Sequence, residues 1–192
     1  MLGASGIKRE LERGNLIIDP FIEDQLGPNS YDLRIGNWIY RYNTIFKNEY
    51  RVLDKEDASS LFYTKPERCD KYIFLNSGER ILAHTEEFAG SVRKYVPQIA
   101  CRSTIARVGL DVCASAGFGD VGFINRWTLE MYNFSPLPIA IPVGARICQI
   151  FFNRIDIAEG QDPEPVLYNG NYNPTDTNWQ PEEMLPKLPM IT

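Results

Sequence analysis

The stretch LPIAIPVGARICQIFF, residues 137–152, decides the fold class. It holds two short apolar runs joined at Val143-Gly144, a turn signal. Each run is too short for an ordinary helix, and isoleucine recurs through both. The same grammar continues outward. KYIFLNSGERILAHTEEF (71–88) shows short apolar runs separated by turn residues, and NSYDLRIGNWIYRY (29–42) alternates like a strand broken at Gly36-Asn37. NLIIDPF (15–21) reads as a strand ending at Pro20. SGIKRELERG (5–14) is the exception, a short helix with Ser5 as N-cap and Gly14 as its stop. Short strands at close spacing with few helices predict a mainly β fold: a sandwich, jelly roll or barrel.

The 192 residues fit one domain, or one domain with arms. A net charge of -5 argues against a non-specific nucleic-acid binder, which needs a basic stripe. No apolar run approaches the roughly 20 residues that span a bilayer. The start, MLGASGIKRE, lacks the apolar centre of a signal peptide, so a cytoplasmic protein that engages no membrane is expected. Cys69, Cys101, Cys113 and Cys148 form no CxxC pair and read as free thiols in a reducing compartment. Residues 43–70 are polar and irregular, an inserted excursion. From 162 onward the chain holds six of its thirteen prolines, with Tyr168, Tyr172 and Trp179 among asparagines. We therefore expect a β domain over 1–161 and an arm over 162–192. Such an arm is poorly suited to a core of its own and suited to wrapping a neighbour or covering a ligand.

The chemistry concentrates in CRSTIARVGLDVCASAGFGDVGFINRWTLE, residues 101–130. Ser103 and Arg107, four residues apart, share a face of a short helix. Asp120 stands among glycines, where the backbone can approach a ligand closely. Glu130 lies in a β-like run that puts Thr128, Glu130 and Tyr132 on one face and Trp127, Leu129 and Met131 on the other. A carboxylate placed there calls for a partner or for work.

These blocks resemble the dCTP deaminase branch of the trimeric dUTPase superfamily. IKRELERGNLIIDPF and DQLGPNSYDLRIGN look like its N-terminal helix, strand and P-x-S-x-D-L-R-x-G block. CRSTIARVGL looks like R-S-S-x-A-R-x-G-L, and SAGFGDVGF like the A-G-x-x-D-x-G-[FW] turn. TLEMYN resembles T-L-E-x-x-N, and PVGARICQIFF the P-G-x-R-I-x-Q-L-x-F hairpin. The resemblance implies a distorted jelly-roll β-barrel or sandwich of the dUTPase-like fold with a few short helices. It also implies a homotrimer with active sites between subunits, a nucleoside triphosphate carrying Mg²⁺, and no zinc.

It further implies roles. Glu130 shuttles protons as water attacks C4 of a deoxycytidine nucleotide; the plain alternative is a strand glutamate in a salt bridge. Ser103 holds the water; the alternative is a helix N-cap. Arg107 orients the glutamate and the base, and Arg102 reaches the phosphates. The Ala116 carbonyl helps hold the water, and Asp120 takes the 3′-OH. Thr128, Tyr168 and Tyr172 complete the substrate-binding set. Asn29, Ser30 and Asp32 are candidates for an intersubunit surface, with ordered turn packing as the plain alternative, and Gln149 reads as a sheet-interior or trimer-axis polar group whose side chain would find its partner across the interface.

The expected reaction is dCTP to dUTP and ammonia. The alternatives are a bifunctional deaminase–diphosphatase making dUMP and diphosphate, favoured by Gly117-Phe118 before Asp120, and a non-catalytic nucleotide-sensing trimer. Two departures matter. Asn171 stands where the family's arm carries lysine, which removes a point charge for phosphate. GFGDVGF lacks the usual apolar residue and proline beside the aspartate, which predicts a looser turn. His84-Thr85-Glu86 spells the H-x-E of zinc deaminases, but the P-C-x-x-C that completes such a site is missing, and His84 reads as a strand residue.

Overall fold

The computed structural model describes residues 1–43, 60–62, 65–156 and 178–187. Helix α1 (Ala4–Glu12) leads into β1 (Leu16–Asp19). Then follow β2 (Tyr31–Arg34), β3 (Trp38–Arg41), β4 (Glu67–Arg68), β5 (Tyr72–Leu75), β6 (Arg80–Ser91) and β7 (Tyr95–Cys101). Helix α2 (Ser103–Arg107) precedes β8 (Leu110–Asp111), β9 (Ile124–Asn133), β10 (Ile139–Pro142) and β11 (Arg146–Arg154). The architecture is mainly β and antiparallel, as expected. No described helix is long and apolar enough to cross a membrane.

The larger sheet runs β4-β3-β6-β9-β8, with β1 on the far half of β6. A second sheet runs β2-β11-β7, and β10 pairs with β5. The sheets close on one apolar core that includes Leu33, Ile35, Ala83, Leu129, Met131, Ile150 and Phe152, with Ile7 of α1 docked against it. Strand β6 shifts register between His84 and Phe88. Thr85 pins this bulge: its hydroxyl accepts from the Trp127 amide and donates to the Glu87 carbonyl, both at 2.8 Å. Buried Asn133 ties the end of β9 down. Its side chain donates to the carbonyls of Leu75, Asn76 and Leu137 and accepts from the Ser135 amide.

Several local expectations are corrected. Ser5 lies inside α1; the N-cap is Gly3, with no side-chain cap. Gly14 does sit past the helix end, in the left-handed region at φ +70. The strands flanking Val143-Gly144 form but do not pair with each other: β10 joins β5, and β11 lies between β2 and β7. The excursion over 43–70 falls largely outside the described residues, yet β4 pairs with β3 and Phe62 is buried.

Of the arm expected over 162–192, residues 178–187 are described, and they contribute to a second apolar cluster in which Met184 packs with Tyr40, Phe62 and Leu82. All four cysteines are free. Burial pushes the Cys69 and Cys101 thiols up to about 11, so neither is a thiolate near neutral pH.

Candidate active site

Strand β9 carries the central group. Its burial alternates: Trp127, Leu129 and Met131 face the core, while Thr128, Glu130 and Tyr132 are half-buried. In register, Glu130 lies opposite buried Leu82, and Thr128 opposite His84. Cys113, beyond β8, is close enough that its thiol is pushed up by burial first, then by the charges of Asp111 and Glu130. Among the described residues Glu130 makes no hydrogen bond or salt bridge, so the plain ion-pair alternative has no partner there. A half-buried carboxylate free of partners can take and return a proton.

Helix α2 begins straight after β7 and packs against β8, which pairs with the end of β9 at Asp111 and Tyr132. The short β8 thus links Ser103 and Arg107 to the strand of Glu130. Both are exposed on one helical face. Among the described residues neither makes a side-chain hydrogen bond or an ion pair with Glu130. The N-cap position belongs to Arg102, so the N-cap alternative for Ser103 is removed. Arg102 is not a free solvated charge either, since it pairs with Asp32 at 3.3 Å.

Asp120 and Ala116 lie exposed in the loop between β8 and β9. The loop is fastened rather than loose. The Ile99 amide donates to the Gly117 carbonyl at 2.6 Å, and the Gly119 amide to the Pro97 carbonyl at 2.8 Å. Both glycines are needed for this approach: a Cβ at Gly117 would sit 2.7 Å from the Ile99 oxygen, and one at Gly119 2.7 Å from the Trp127 ring. Their backbone closeness sets where the Asp120 carboxylate stands, and Phe118 beside it is 67% exposed.

His84 is a packed strand residue. Its Nδ1 is 2.8 Å from the Thr85 carbonyl, and the Trp38 amide donates to its Nε2 at 3.3 Å. That pair of contacts fixes a neutral imidazole protonated at Nδ1. Burial lowers its pKa to about 4, with the Arg126 charge acting in the same direction. The Trp179 ring packs against it, tilted by 37° with centroids 4.3 Å apart, and Arg126 lies over both Trp179 and Phe88.

Gln149 matches the sheet-interior alternative rather than the trimer-axis one. Its amide donates within the chain to Ser30 and to Asp32, at 3.0 and 3.2 Å, so it needs no partner across an interface. Tyr168 and Tyr172 lie outside the described residues. Sequence reasoning missed Arg146 and the Trp179 contact; the partners of both are far away in the chain, which leaves no local pattern to read.

The family model described as dCTP deaminase-like matches residues 1–155. A relative from Cytophaga hutchinsonii named "dCTP deaminase, dUMP-forming" is 39% identical, covering 79% of this chain and 82% of its own. One of the same name from Clostridium botulinum (strain Eklund 17B / Type B) is 34% identical and covers 88% of each. The crystal structure of 2′-deoxycytidine 5′-triphosphate deaminase from Agrobacterium tumefaciens superposes with a TM-score of 0.57 at 23% identity. That match covers 79% of this chain and 47% of the other, and supports a shared fold. On the residues matched and the identity over most of its length, the chain belongs to the dCTP deaminase-like family.

Proposed function

We propose that this protein converts dCTP to dUMP, releasing ammonia and diphosphate. Both relatives described above carry "dUMP-forming" in their names, which favours the two-step reading over the simple dUTP-producing deaminase expected from the sequence. The observation that carries the proposal is Glu130, a half-buried carboxylate without a partner among the described residues, facing out of β9 beside Thr128.

In the first step water adds to C4 of cytosine. Glu130 takes the proton from the water and delivers protons to the ring nitrogen and the departing amine, so one carboxylate serves both transfers. Ser103 is assigned the water, together with the Ala116 carbonyl, because its hydroxyl is exposed and both donates and accepts. Arg107, one turn away, orients base and glutamate. In the second step water attacks the α-phosphate of the bound dUTP and diphosphate leaves, with Asp120 beside the sugar supporting that attack. Arg102 and the arm tyrosines Tyr168 and Tyr172 hold the phosphate end.

Among the described residues no group of three or more His, Cys, Asp or Glu side chains could hold a metal ion. Magnesium is assigned to the substrate's phosphates, where it would neutralise part of their charge beside Arg102. Both ring nitrogens of His84 are engaged, which supports a reaction that does without zinc. Ser103 and Arg107, exposed on α2, are positioned to complete a site with a second subunit of a homotrimer.

Glu130→Gln tests the central role. Ammonia release from dCTP should fall on the order of 10²- to 10⁴-fold, with nucleotide binding retained. Deamination at the wild-type rate would remove Glu130 from the reaction.

A further inference from the structure

One end of the β2-β11-β7 sheet carries a charged cluster of which the roles above use only Arg102. Asp32 comes from β2, Arg146 opens β11, and Arg102 follows β7. The Asp32 carboxylate, with its side chain only 12% exposed, faces Arg102 at 3.3 Å and Arg146 at 3.8 Å. Gln149 donates to it as well, at 3.2 Å. Two guanidinium charges thus share one carboxylate. Arg146 is further held by the Asp24 carbonyl at 2.7 Å. Its placement follows from the register shift between Arg146 and Cys148, because a bulge re-aims the side chain at its edge.

The neighbouring cation, Arg34, is committed elsewhere. It binds fully buried Glu87 through its side chain at 2.6 Å and its backbone amide at 2.9 Å. Arg102 and Arg146 keep 37% and 43% of their side chains exposed. Their guanidinium ends therefore stay open to solvent, where a polyanion can compete with Asp32 for them. A guanidinium also presents a planar fork that matches phosphate oxygens two at a time. The arm has Asn171 where the family's lysine is expected, which leaves the phosphates short of one cation.

We propose that Arg146 is a second phosphate-binding guanidinium, held beside Arg102 on Asp32 until the polyphosphate of the nucleotide takes the carboxylate's place. This rests on the nucleotide reading above, and its test separates the two.

The test titrates inorganic tripolyphosphate, and separately deoxycytidine, into the whole protein by calorimetry, and measures KM for dCTP. Arg146→Gln should weaken tripolyphosphate binding and raise KM for dCTP, each roughly 10- to 100-fold, with kcat little changed. Deoxycytidine binding should stay as in wild type. Asp32→Asn removes the competing carboxylate and should tighten tripolyphosphate binding several-fold. This second variant keeps the idea testable if Arg146→Gln folds poorly. Unchanged tripolyphosphate affinity in Arg146→Gln, weaker affinity in Asp32→Asn, or equal losses for tripolyphosphate and deoxycytidine would each overturn the proposal. If wild type turned over no dCTP yet bound tripolyphosphate through Arg146, the functional reading would fail and this one would stand.

Discussion

At the scale of single residues, two carboxylates divide the work in the proposed reaction. Glu130 is half-buried on a strand, and Asp120 is exposed in a fastened turn. If Asp120 serves the second step, Asp120→Asn should leave deamination within a few-fold of wild type and let dUTP accumulate in place of dUMP. Chromatography of quenched reactions checks this, and dUMP forming at the wild-type rate would oppose it. His84 makes a different prediction. Its folded pKa of about 4 lies below the ordinary value of 6.5. Between those values the unfolded chain binds a proton that the folded chain refuses, so stability falls as pH drops through the window. The loss is on the order of 3 kcal/mol over the whole range. Urea unfolding at pH 7 and pH 5 should show it, and His84→Gln should flatten the slope. The alternating faces of β9 were legible in the sequence because strand geometry has period 2. The Asp32–Arg146 pair was not, since an ion pair between distant segments leaves no mark on either.

At the scale of elements, the loop between β8 and β9 is held more firmly than its composition suggests. Missing apolar and proline residues suggested a loose turn around Asp120. Two backbone hydrogen bonds with β7 hold it instead, one accepted by the Gly117 carbonyl from Ile99 and one donated by the Gly119 amide to Pro97. Gly119→Ala forces a Cβ against Trp127 and Pro97 and should cost about 1–3 kcal/mol, read by urea unfolding. A cost near zero would mean the ring gives way. In the arm, Met184 is buried among Tyr40, Phe62 and Leu82. Met184→Ala should cost about 2–5 kcal/mol if that cluster packs like a core, and an unchanged unfolding midpoint would show that it does not. Element positions were otherwise well marked: Gly36-Asn37 does separate β2 from β3, and β1 does end before Pro20. The pairing of β10 and β11 was misjudged because a turn between two strands says only that the chain reverses, not that the strands then join.

At the scale of the whole molecule, the mainly β class followed from short strands closely spaced, and family membership from motif order. What no local pattern conveys is how the chain completes its site. Ser103 and Arg107 are exposed on α2, which packs against β8, the partner of the end of β9. A homotrimer would bring a second chain to that face, and sedimentation equilibrium should give about three times the 22.0 kDa chain mass. The central claim is that one protein carries dCTP through to dUMP. The most direct test incubates purified protein with dCTP and magnesium and resolves the nucleotides over time, beside a dUTP control. The account predicts dUMP, diphosphate and ammonia in equal amounts. Accumulation of dUTP as the end product, or no product at all, would contradict it.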